Sequence, residues 1–166
     1  MLRKITLCLG VLITLTFTLV GCGKSLEQKA AEKYIEGVTG AEVDLNNDGF
    51  EITDQEGNTI SAQSGKGLPS GWPANVSYYK KGKIEQSSSM ALPQGKNYAI
   101  VISSNDSIED IMDYYKSEFS SGWKVDMEMN VGDAATLMLS KDGTTVTIGI
   151  DSETGEISQT VLTNLE

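Results

Sequence analysis

Ile108, Ile111, Met112, Tyr115 and Phe119 stand at offsets of three, four, seven and eleven from the first of them. One face of a helix carries all five. Such a stripe has to bury against something, and the flanking sequence offers strands. Residues 98–103 hold the apolar run Ala99-Ile100-Val101-Ile102, while residues 124–129, 136–140, 144–151 and 156–163 read as further strands. Lys141-Asp142-Gly143 and Ser152-Glu153-Thr154-Gly155 supply turns between them. The pattern predicts an α+β fold, with an antiparallel sheet of about four to six strands and one main helix, residues 107–121, on one face. Asp106 or a neighbour caps that helix, Glu109 and Asp110 suit its positive first turn, and Gly122 ends it at C′. Trp123 then folds back under the helix end.

The first half is less regular. Residues 26–36 read as a short helix whose face holds Leu26, Ala30, Tyr34 and Ile35, stopped by Gly37 or Gly40. Residues 42–45, 50–53 and 59–62 form a small meander. Gly65, Gly67, Pro69 and Gly71 break the pattern and place a boundary near Lys66. Residues 76–79 and 83–90 flank Lys80-Lys81-Gly82 as a hairpin or bent strand. The expected organisation is a helix plus β-meander over residues 26–66, then an α+β domain over 67–166 in the order β-β-β-α-β-β-β-β.

Arg3 and Lys4 precede an uncharged apolar run, residues 5–20, and then Gly21, Cys22 and Gly23. That layout is a secretory signal peptide. Leu19-Val20-Gly21-Cys22 resembles the lipobox of bacterial lipoproteins. The resemblance implies cleavage between Gly21 and Cys22, removal of residues 1–21, and diacylglycerol on Cys22, with residues 22–25 as a lipidated tether. A diacyl anchor holds stably where one chain is marginal. The expected location is the extracytoplasmic face of the cell membrane, or an outer membrane if the host has one.

Removing the signal takes away Arg3, Lys4 and Cys8. Eleven basic residues then stand against 23 acidic ones, a net charge of −12, which repels nucleic acid. The chain has no His, and no thiol remains once Cys22 is acylated. Ser-His-Asp and Cys-His catalysis and imidazole or thiolate zinc sites are thereby excluded. Carboxylate chemistry and oxygen-ligand metals remain.

Asp44, Asn46, Asp48, Gly49 and Phe50 match the opening of a calcium loop, but its twelfth position is Gln55 and no exit helix follows. Val43, Leu45, Phe50 and Ile52 alternate symmetrically about Asn46-Asn47-Asp48-Gly49, which favours a hairpin, with Asn and Gly taking positive φ. Asp44, Asn46 and Asp48 are weak calcium candidates. Glu109 with Asp110, or Glu51 with Asp54, could supply an acid and a base, yet nothing marks either pair among so many carboxylates. Trp72, Tyr78 and Tyr79 form a candidate binding surface if they face the open side of the sheet.

Leu68-Pro69, Trp72-Pro73, Tyr114-Tyr115-Lys116 and Gly122-Trp123 together resemble a loose group of uncharacterised exported bacterial lipoproteins with a YYK…GW helix end. The resemblance implies a fold and no active site. The function expected is therefore a non-enzymatic binding or envelope-associated role, without a cofactor, toward a protein or glycan partner. A carboxylate-dependent hydrolase of envelope polymers is one alternative. A lipid or small-molecule carrier, using the groove between helix 107–121 and the sheet, is the other.

Overall fold

The computed structural model describes residues 26–65, 67–92 and 95–164. The expected signal peptide, lipobox and tether lie outside the described residues. Among the described residues two helices, α1 (Leu26–Thr39) and α2 (Ile108–Glu118), accompany nine strands. These are β1 (Glu42–Asn46), β2 (Gly49–Thr53), β3 (Thr59–Ser64), β4 (Lys83–Leu92), β5 (Gly95–Ser103), β6 (Lys124–Val131), β7 (Ala134–Lys141), β8 (Thr144–Asp151) and β9 (Glu156–Asn164). All pair antiparallel in one sheet of order β1-β2-β3-β4-β5-β9-β8-β7-β6. The fold is α+β, with more strands than the four to six expected. The difference lies at β3 and β4, which pair and draw the meander into the main sheet, with Ser61 Oγ 2.9 Å from Ser89 Oγ.

Helix α2 covers one face. Ile111, Met112, Tyr115 and Phe119 are buried against Ile100, Leu137, Ile148 and Val161. Ser107 is the N-cap: its Oγ accepts from the Asp110 amide at 3.1 Å and donates to the Asp110 carboxylate at 2.7 Å. The helix stops earlier than expected. Phe119 is its C-cap, so Gly122 (φ 76°) sits in the following turn rather than at C′. Trp123 does fold back, its ring 4.8 Å from that of Phe119. Asp142 (φ 45°) and Gly143 (φ 72°) join β7 to β8 with the positive φ values that a tight hairpin prefers.

Residues 76–79 are not a strand. Several of their backbone groups are taken by side chains: the Tyr79 N–H donates to Tyr115 Oη at 3.2 Å, and the Ser77 carbonyl accepts from Gln159 Nε2 at 2.8 Å. Used this way, they cannot also join a ladder.

Helix α1 also differs from expectation. Tyr34 is 73% exposed and Ala30 is exposed, while Gln28 and Glu32 are buried. Strand β1 is a sheet edge, and its outward amides need acceptors. Glu32 Oε1 accepts from the Leu45 N–H at 2.7 Å, Glu36 Oε1 accepts from the Val43 N–H at 3.3 Å, and Gln28 Nε2 donates to Asn47 Oδ1 at 3.3 Å. A polar stripe at four-residue spacing thus seals the edge, and Val43 and Leu45 are buried beside it. The helix ends where Gly40 (φ 69°) donates to the Glu36 carbonyl. Among the described residues no helix is long and apolar enough to cross a membrane.

Glu32→Leu removes the acceptor of a buried amide and is expected to cost about 1–3 kcal/mol in urea denaturation. Glu32→Gln keeps an acceptor and is expected to cost less. Amide exchange at Leu45 should quicken in the first variant.

Candidate functional site

Residues paired directly across antiparallel strands share a face. One such row runs Phe50–Ala62–Ser88–Ala99 from β2 to β5, on the face opposite α2. The next row on that face is Ser64–Gln86–Val101. Ala62, Ser88 and Ala99 are small, so the sheet surface dips between Phe50 and the Gln86–Val101 side. The result is an open hollow of about 400 Å³ lined by these seven residues, by Asp48, and by the intervening Gly49, Gln63, Ser87 and Ile100. Those alternate residues project to the other face, so they meet the hollow through backbone. Gly49 is required here for close approach, since a Cβ at that position would overlap the Ala62 carbonyl. The floor is apolar. Hydroxyl and amide groups of Ser64, Gln86 and Ser88 stand beside it, and no lining residue is basic.

A second hollow of about 240 Å³ lies where the N-terminal end of α2 meets the β8–β9 turn. Two of its four carboxylates hold local structure. Asp106 accepts from the Tyr79 phenol and from Ser104 Oγ. Asp151 Oδ1 accepts from the amides of Glu153 (2.9 Å) and Thr154 (3.1 Å).

The calcium-like segment is a hairpin, with Asn46 paired to Gly49. Asn46 Oδ1 accepts from the Asp48 N–H at 3.0 Å, closing the turn. The turn does not use positive φ at Asn47, Asp48 or Gly49, contrary to expectation. Asp44 is exposed on β1. Among the described residues no cluster of three or more His, Cys, Asp or Glu side chains is arranged to hold a metal ion.

Trp72, Tyr78 and Tyr79 do not form an open binding surface. They pack on the α2 side of the sheet, against the main core. Tyr79 is fully buried, Trp72 Nε1 donates to the Val76 carbonyl at 2.9 Å, and the Trp72 ring meets the edge of Tyr98 at 6.1 Å. Tyr114 Oη donates to the Tyr78 carbonyl at 2.9 Å. Burial raises the Tyr79 and Tyr115 phenols far above their ordinary value, and for Tyr79 the acceptor Asp106 adds to the effect. The space between α2 and the sheet, a groove in the carrier alternative, is filled by Tyr115, Phe119 and their neighbours.

Neither carboxylate pair lines one of these two hollows. Asp110 serves the α2 cap. Asp54 organises the β2–β3 turn, accepting from the Asn58 side chain at 2.8 Å and from the Glu56 and Asn58 amides, and these bonds lower its pKa. The Phe50–Ala99 row is not visible in the sequence, because its members lie on four strands and only the register assembles them.

A family model described as START domain-like matches residues 84–156, under half of the 166. The match runs from the start of β4 to the start of β9, so it takes in one wall of the hollow and leaves out α1 to β3. No curated protein and no solved structure matches the chain.

Tyr115→Phe leaves the Tyr79 amide and Gln159 Oε1 without the hydroxyl that joins them. The expected loss is about 2 kcal/mol of unfolding free energy, measured by chemical denaturation.

Proposed function

We propose that the chain is a lipid-anchored extracytoplasmic protein that binds a small amphipathic ligand, without turnover, in the hollow over β2–β5. The observation that carries this reading is the hollow itself. Its volume falls within the usual range for small-molecule sites, about 300–1,000 Å³. An apolar body can rest on Phe50, Ala62, Ala99 and Val101 while a polar edge meets Ser64, Gln86 and Ser88. With Asp48 at the site and no basic lining residue, a neutral or cationic ligand suits it better than an anion. The START domain-like match, to a ligand-binding kind of fold, supports the same reading.

The anchor rests on Leu19-Val20-Gly21-Cys22. Three residues separate Cys22 from Leu26, the first residue of α1, a reach of about 14 Å when extended. Gln28, on the first turns of α1, bonds Asn47, and Asn47 adjoins Asp48 of the hollow. An acylated Cys22 would therefore hold the Asp48 end of the hollow close to the lipid surface.

Ala99→Trp is expected to fill the hollow. Saturable one-to-one binding of the neutral dye Nile red should be lost in that variant and kept in Thr145→Trp, on the same face but outside the hollow. Equal binding by the two variants would refute the site. Cys22→Ser is expected to block processing or release the protein from membranes on fractionation. Normal cleavage with unchanged membrane retention would refute the anchor.

A further inference from the structure

The two edges of the sheet are treated differently. At β1 the outward amides are taken by Glu32 and Glu36 of α1. Among the described residues nothing comparable covers the β6 edge: all eight residues are exposed, with Val125 at 50%, Met127 at 41%, Met129 at 50% and Val131 at 65%. Edge strands commonly carry charges that repel a second strand. Here those charges are already paired. Lys124 Nζ lies 2.6 Å from Asp126, and Lys116 Nζ of α2 lies 2.6 Å from Glu128. A bare, apolar, internally neutralised edge is suited to strand addition.

We propose that β6 pairs antiparallel with β6 of a second copy of this chain. The sequence of the strand selects the copy and the register. A bulge between Val125 and Met127 leaves residues 127–131 as the regular stretch. Met127 pairs with Met138 of β7, so Met127, Met129 and Val131 share the face opposite α2, and Glu128 and Asn130 share the other. A two-fold axis perpendicular to the sheet through Met129 sets Met129 beside its own equivalent and Met127 beside the second copy's Val131. It also sets Glu128 beside the second copy's Asn130, an acceptor opposite a donor. Every pair is apolar with apolar or complementary polar. An axis through Glu128 would oppose two carboxylates, and one through Met127 would set Glu128 against Asp126. Axes through Asn130 or Val131 also avoid like charges but pair fewer residues of the regular stretch, so the Met129 register joins the longest run without a clash.

The contact is short and falls below the area of a standard stable interface, so the dimer is weak and concentration-dependent. Each chain carries a net charge of −10, and association strengthens as salt screens that repulsion. The axis preserves the faces of the sheet, so both hollows open on the same side.

The test uses the full chain in non-ionic detergent with Cys8→Ser and Cys22→Ser, Met129→Cys added, and copper-phenanthroline oxidation. A disulfide-linked dimer is expected at position 129, and not from Met138→Cys, one strand inward on the same face. Added Asn130→Glu places two Glu–Glu pairs across the axis and should cut crosslinking by about tenfold. Asn130→Lys should raise it, and so should about 0.5 M salt. Circular dichroism melts verify that each variant folds. Equal crosslinking at 129 and 138 would overturn the proposal, as would the two Asn130 variants acting in the same direction. Association driven by the apolar N-terminal segment would give that indifference to residue 130.

Discussion

Gln159 sits in the middle of β9, fully buried, and the rest of the structure is arranged to satisfy its side chain. Its Oε1 accepts from Tyr115 Oη at 2.9 Å, and its Nε2 donates to the Ser77 carbonyl. Tyr115 Oη in turn accepts from the Tyr79 amide. A buried amide is costly unless paired, and pairing it with a helix and a loop at once locks both in place. The α2 stripe supplies most of the burial. The polar chain through Tyr115 sets how α2 and residues 76–79 sit over the sheet.

That arrangement explains which parts of the fold were legible in the sequence. The α2 stripe and the Asp142-Gly143 hairpin follow from local period and turn chemistry, and both are present. Residues 76–79 looked like a strand because Val76, Tyr78 and Tyr79 are typical strand residues. Their backbone partners, however, are side chains 36 and 82 positions away along the chain. Trp72, Tyr78 and Tyr79 suggest a surface for the same reason, since a loop pinned inward is not a local property. Strand count failed at the β3–β4 junction, where about twenty residues of irregular chain hide a pairing between neighbours in space.

Helix α1 inverted its expected face for an energetic reason. Periodicity weighs apolar burial, whereas an edge strand asks first for acceptors. The spacing Gln28-Glu32-Glu36 held that information, but it becomes meaningful only once β1 is known to be an edge. The hollow was invisible for a related reason. Ala62, Ser88 and Ala99 are unremarkable alone and become a concavity only when the register sets them side by side.

The α1 seal also has a mechanical side. Tension applied at residue 26 would act along the chain at the N-terminal end of α1, loading Gln28 first, then Glu32, then Glu36. The contacts would yield one after another, as in a zipper, rather than all together as in a sheared ladder. Peeling of this kind needs little force at any moment, and it leaves the pairing of β4 to β9 unloaded. The first helix would act as a mechanical fuse, giving slack before stress reaches the Gln159 core.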